Sequence, residues 1–186
     1  MQLRTGIATL LVLTALLSAP RAAAAQGPGD TNIFGGYSFL HNNDADDLLS
    51  NFPGGFEFGL THRLTGRMPM VSLGAKLQFS STTVNSVEKF AISQALFGVL
   101  FGPPADMTKR IWVFGMVHVG NTHTSDEFEG QTFSSNSFTV QPGAGVGVFV
   151  NPNLGLQLTA EVPIIKSEGT TSTGFRFGAS VSVRLR

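Results

Sequence analysis

Apolar and polar residues alternate with a period of two over most of the chain beyond Gln26, the signature of β-strands whose two faces meet different surroundings. After Phe52-Pro53-Gly54, Phe56, Phe58 and Leu60 oppose Glu57, Gly59, Thr61 and Arg63. Val71, Leu73, Ala75, Leu77 and Phe79 oppose Ser72, Gly74, Lys76, Gln78 and Ser80. Val140, Ala144, Val146, Val148 and Val150 stand against Gln141, Gly143, Gly145 and Gly147. Leu154, Leu156, Leu158, Ala160 and Val162 face away from Gly155, Gln157, Thr159 and Glu161. Phe175, Phe177, Ala179, Val181, Val183 and Leu185 face away from Arg176, Gly178, Ser180, Ser182 and Arg184. Each run is roughly ten residues long, about what a tilted strand needs to cross a bilayer.

Three noisier segments complete the set. Ile33 to Leu40 reads as a first strand with Ile33, Gly35, Tyr37 and Phe39 outward. Phe90 to Phe101 and Ile111 to Val119 are apolar in both phases, so periodicity does not assign their faces. Eight strands result, an even number that returns both termini to one rim of an antiparallel barrel. Thr65-Gly66-Arg67 and Asn151-Pro152-Asn153 read as tight turns, and 103–109 as a moderate link. Polar loops are expected between His41 and Asn51, Ser80 and Glu88, Asn121 and Asn136, and Lys166 and Thr173. Short turns on one rim and longer loops on the other fit the periplasmic and extracellular ends of a membrane barrel.

Charge decides which phase faces out. Only 13% of residues are charged, against about 25% in ordinary soluble domains. The polar phase is mostly Gly, Ser, Thr and Gln, which suits the crowded interior of an eight-stranded barrel. A soluble barrel needs a densely charged exterior, whereas lipid does not. The expected fold is therefore all-β: an eight-stranded antiparallel up-and-down transmembrane β-barrel over 26–186. Residues 1–25 read as a signal peptide, with Arg4 as the basic region, Gly6 to Leu17 as the apolar stretch and Ala22 to Ala25 before the cut. The alternative for that segment is an uncleaved anchor, although the stretch is short for a spanning helix. There is no cysteine, which excludes disulfides and thiolate metal sites. Net charge is zero without a basic run, which argues against a nucleic-acid partner.

The stretches Lys109-Arg110-Ile111-Trp112-Val113-Phe114-Gly115, Gly143-Ala144-Gly145-Val146-Gly147, Asn153-Leu154-Gly155-Leu156-Gln157 and Gly174-Phe175-Arg176-Phe177-Gly178 resemble the small outer-membrane β-barrel domain family, which includes OmpA-like and OmpX-like eight-stranded barrels. The resemblance covers nearly the whole of 26–186. It implies export to the outer membrane of a Gram-negative cell and a bilayer as the first partner. Such barrels commonly end in an outward aromatic residue; here Leu185 takes the outward phase before Arg186.

Chemistry is sparse. Glu57 and Lys76 fall opposite each other if their hairpin centres on Thr65 to Arg67, and Glu161 and Arg176 lie close in the last hairpin. Together the four form a candidate lumen charge cluster, since desolvated charges must pair. Its expected role is structural; a gate or selectivity filter is the alternative. His123-Thr124-Ser125-Asp126-Glu127 holds the residue types of a lipid-modifying hydrolase, but a polar loop would not fix their geometry. His118 reads as a packed or rim histidine. The four histidines lack metal-site spacing, and His41 with Asp44, Asp46 and Asp47 lacks the glycine and final glutamate of a calcium loop. Trp112 and Phe114 are candidates for an aromatic girdle at the turn rim, Tyr37 and Phe39 for the other.

No catalytic, cofactor or metal residues are assigned. The expectation is a monomeric barrel with a structural or surface-interaction role through 41–51 and 121–136. A narrow passive pore is the alternative, followed by a soluble periplasmic barrel holding a hydrophobic ligand.

Overall fold

A computed structural model of the protein describes residues 31–43, 51–64, 70–84, 88–102, 111–128, 131–151, 153–167 and 169–185. The leader segment 1–25 and the turn at 65–67 lie outside these residues. The strands are β1 (Thr31–Asn42), β2 (Asn51–Phe52), β3 (Gly54–Arg63), β4 (Val71–Val84), β5 (Glu88–Phe101), β6 (Ile111–Phe128), β7 (Gln131–Asn151), β8 (Leu154–Glu161), β9 (Ile164–Ser167) and β10 (Thr170–Leu185). Each stave pairs antiparallel with its neighbours in sequence, and β1 pairs with β10 to close the ring. β8 and β9 form one stave interrupted at Val162 and Pro163, and β2 is a short strand beside the far end of β1, so eight staves make the wall.

The faces are inverted relative to a water-soluble barrel. Phe56, Phe58, Leu77, Phe97, Leu158 and Phe177 are among many large apolar side chains exposed on the outside. Glu57, Lys76, Gln78, Gln94, Gln141 and Arg176 are buried inside. This outer surface matches the hydrocarbon of a bilayer, where paired strands leave no open edge. It excludes the soluble carrier reading. Tyr37 is exposed on the outside, paired with Phe56, whose ring stacks on Phe79 at 4.9 Å between centroids.

β5 and β6 acquire their faces here. Ile92, Gln94 and Leu96 point inward on β5, and Met116, His118 and Thr122 on β6. Both phases are apolar in these segments because the lumen itself holds an apolar layer at Leu96 and Met116. Trp112 and Phe114 share that inward phase, so they do not join an external girdle. Trp112 stacks on Phe149 at 4.3 Å, and the Arg184 guanidinium lies 4.8 Å from the Phe149 centroid, which narrows the lumen near the turn rim. Gly147 makes room for this stack: a Cβ there would lie 2.1 Å from the indole.

Most of the expected loops are strand. β6 and β7, 18 and 21 residues long, pair from Ile111↔Val148 to Phe128↔Gln131, taking in nearly all of 121–136. Thr82 to Val84 pair with Phe90 to Glu88, and Lys166 and Ser167 pair with Thr171 and Thr170. These stretches are mostly polar on both faces, so hydrophobic periodicity is weak, yet their Thr and Ser residues extend ladders already started in the wall. Gly169, at φ 80°, supplies the left-handed residue for the connection into β10. On the opposite rim Asn151 Oδ1 accepts the Asn153 and Leu154 amides at 2.9 Å each, fixing the turn expected there.

Candidate functional site: the barrel lumen

Strand alternation sends one side chain in two into a lumen that an eight-stranded ring leaves just wide enough to fill. The four expected charges, Glu57, Lys76, Glu161 and Arg176, all reach it, and each is at most 3% exposed. Their pairing differs from the expectation. Glu57 stands opposite Gln78 and Lys76 opposite Gly59, because the hairpin closes with Leu64 N donating to Val71 O, beyond a longer connection than a turn centred on Thr65 to Arg67 allows. Lengthening that connection by two residues moves the partner of Glu57 by two positions, the smallest shift that keeps it on the same face. Lys76 instead reaches across the lumen and pairs with Glu161 Oε2. Arg176 does stand directly opposite Glu161 in register.

Two hydrogen-bonded chains result. In the first, Lys76 Nζ and Gln141 Nε2 both donate to Glu161 Oε2. Gln141 Nε2 also donates to Gln78 Oε1 at 3.0 Å, and Gln78 Nε2 to Glu57 Oε2 at 3.1 Å. Two carboxylates on distant staves are thereby joined through two glutamines. In the second, Arg176 donates to Ser38 Oγ at 3.2 Å, Ser80 Oγ at 3.0 Å and Gln94 Oε1 at 2.9 Å. Gln94 Nε2 then donates to Thr122 Oγ1 at 2.8 Å, and Thr122 bonds Thr139. Every stave from β1 to β10 thus places at least one polar side chain in the network. Gly178 leaves the gap that admits Glu57, since a Cβ there would lie 2.7 Å from Glu57 Oε1.

Apolar side chains seal the network toward the loops. Leu40, Phe52 and Ile92 form a buried cluster with Phe90 packed against it. At the other end lie Trp112 and Phe149. The charges were legible in the sequence as breaks in the polar phase. Gln78, Gln94 and Gln141, which carry the connections, were not, because a lone glutamine in a polar phase looks like any lumen-filling residue. His118 is a packed lumen residue, 3% exposed.

The hydrolase-like residues lie in β6 rather than in a loop. His123 Nδ1 meets Asn136 Oδ1 at 3.0 Å across the β6–β7 ladder, so its ring is held by an amide. Ser125 stands opposite Ser134. His41 Nδ1 is likewise 2.9 Å from Asn51 Oδ1, while Asp44, Asp46 and Asp47 lie outside the described residues. No group of three or more metal-ligating side chains occurs among the described residues.

Comparison with known proteins agrees with this architecture. Neisserial surface protein A is 12% identical, covering 84% of this chain and 96% of that one, with a TM-score of 0.64. Ail, the attachment invasion locus protein of Yersinia pestis, solved in complex with the heparin analogue sucrose octasulfate, is 15% identical over 84% of this chain and 99% of that one, at a TM-score of 0.60. A major outer membrane protein from Thermus thermophilus is 11% identical over 83% and 99%, at 0.61. At such identities the likeness is one of fold. No curated protein matches the chain. The family model of the outer membrane protein beta-barrel domain matches residues 9–184, and the chain belongs to that family.

Proposed function

We propose that this outer-membrane barrel acts as an anchored surface-interaction protein whose working part is a sheet rising above the loop rim. One observation carries the reading: β4, β5, β6 and β7 continue beyond the end of β3, and β7 has an open edge. Pairing of β7 with β9 begins only at Phe138, so Gln131 to Ser137 have no partner on that side among the described residues. This edge contains neither lysine nor proline, the usual devices that blunt exposed strands. Phe133 is exposed on it, at 59%, and Phe138, where pairing with β9 begins, is 56% exposed beside it. An extended segment of another protein fits such an edge by strand addition, with backbone bonds giving affinity and the phenylalanines giving selectivity.

The names of the similar structures support a role at the surface without transferring a ligand. Ail was solved with a highly sulfated anion, whereas residues 121–136 here carry Asp126, Glu127 and Glu129 and no lysine or arginine. A polyanion is the wrong partner for that charge. A narrow pore is the second reading, and the side chains that fill the lumen weigh against it: the four charges serve as a structural plug. Catalysis is not proposed, since His123 is bonded to an amide rather than oriented by a carboxylate.

The test compares cells displaying the native chain with cells displaying a Ser134→Pro variant, which removes a backbone donor from the edge, since even-numbered β7 residues face that side as Pro142 does in accepting from Val162 N, and leaves the wall untouched. Adhesion to the surfaces that native cells bind is expected to drop severalfold. Equal adhesion by native and variant cells at matched surface levels would reject the edge as the contact.

A further inference from the structure

The lipid-facing wall is not uniformly convex. On the outer face, Phe101, Gly115, Ala144, Ala160 and Phe177 stand side by side in direct register across β5, β6, β7, β8 and β10. The three middle residues are small and the flanking two are phenylalanines, about 19 Å apart around the wall at the usual strand spacing. With Leu158 forming a ledge toward the turn rim, they bound an apolar groove of about 600 Å³.

Gly115 is the residue that needs explaining. A glycine inside a strand weakens it and marks a bulge, a close backbone approach or a bound ligand. Register runs without a shift through Gly115 on both sides, so there is no bulge. A Cβ there would meet nothing within 4 Å, so no part of the chain approaches it. Trp112 and Phe114 account for Gly147 and Gly145, while nothing within the chain accounts for Gly115. What remains is something outside the chain.

The groove is continuous with the surface that contacts the bilayer, and this continuity identifies its occupant. We propose that it holds one acyl chain of a phospholipid as a resident rather than an exchanging boundary lipid. A chain lying on Gly115, Ala144 and Ala160 touches protein on its floor and along the Phe101 and Phe177 walls, where a convex wall offers one side only. The groove occupies the half of the apolar belt nearer the turn rim: Val113 to Gly115 of the outward series from Ile111 to Val119, and Val146 to Ala144 of the series from Phe138 to Val150. That half faces the phospholipid leaflet if the short-turn rim is periplasmic. The source is therefore a phospholipid rather than lipid A of the outer leaflet.

Native mass spectrometry of the full chain, extracted from outer membranes in mild detergent, tests this. The comparison is native protein, Ala144→Phe, which fills the groove, and Ala75→Phe on the outward face of β4, which adds the same ring elsewhere. A boiled-against-unboiled mobility shift confirms that each variant is folded, and Gly115→Leu replaces Ala144→Phe if that variant does not fold. One phospholipid mass per native barrel is expected to survive collisional activation. Its retention should fall about tenfold in Ala144→Phe, equivalent to ~1.4 kcal/mol, and stay unchanged in Ala75→Phe. Equal retention in all three proteins would overturn the proposal. A retained lipid A mass would overturn the assigned source. A dimer mass abolished by Ala144→Phe would show the groove to be a contact between copies instead.

Discussion

At the scale of single residues the lumen and the outer wall obey opposite rules. Glu161 accepts from both Lys76 and Gln141 in a site 2% exposed. Removing its charge leaves the Lys76 ammonium buried without a counter-ion, so Glu161→Gln is expected to cost about 3–5 kcal/mol. Replacing Lys76 and Glu161 together by methionine removes both charges and should cost far less, because a buried pair exchanged for apolar groups is often nearly neutral. Urea unfolding midpoints of the two variants in one detergent make the comparison. A double variant less stable than Glu161→Gln would show that the ion pair itself, not the avoidance of a lone charge, holds the lumen together. Glycines divide in the same way. Gly147→Ala forces a methyl into the Trp112 ring and should destabilise by roughly 1–3 kcal/mol. Gly115→Ala places its methyl in open space and should be neutral or slightly stabilising. Trp112, the single tryptophan, reports both through its own fluorescence.

At the scale of elements, what the sequence made legible depended on whether the two faces of a strand differ. β3, β4, β8 and β10 separate lipid-facing Phe, Leu and Val from lumen-facing Gly, Ser, Glu and Arg, and their faces follow from the pattern alone. β5 and β6 do not, because Ile92, Leu96 and Met116 belong to apolar layers of the lumen and imitate the lipid-facing phase. The upper halves of β6 and β7 fail in the converse way. Beyond Thr122 both faces are mostly polar, so Asn121 to Asn136 carries no alternation and reads as a loop. The Glu57–Lys76 pairing missed for a third reason: periodicity fixes the face but only turn length fixes the register. Glu161 and Arg176 face each other because one register runs without a shift from Thr170↔Ser167 to Arg176↔Glu161. If the upper hairpin is an extension of a self-sufficient wall, replacing 123–136 by Asn-Gly should leave the barrel intact. The shortened chain is expected to keep its boiled-against-unboiled mobility shift, and loss of the shift would mean that the wall depends on the protruding sheet.

At the scale of the whole molecule, an eight-stranded ring encloses a space that side chains can fill, and here they fill it with partners for every stave. Ser38, Gln78, Gln94, Thr122, Thr139 and Gln141 are each at most 2% exposed, although all lie in what would be the channel of a pore. Leu40, Phe52 and Ile92 on one side and the Trp112–Phe149 stack on the other put apolar material across both approaches. An ion entering would shed its water against these layers before reaching Lys76 and Glu161, and those two charges would already be paired with each other. The native protein in a planar bilayer is therefore expected to show no stable conductance. Shortening both members of the central pair, with Lys76 and Glu161 replaced by alanine, removes bulk and charge without leaving an unpaired ion, and should open small, steady steps while the mobility shift persists. Steady conductance of the native barrel would instead make Lys76 and Glu161 a filter and the lumen the working part of the molecule. Silence in both proteins would place the seal in the aromatic and aliphatic layers, with the charge network serving only to hold the staves in register.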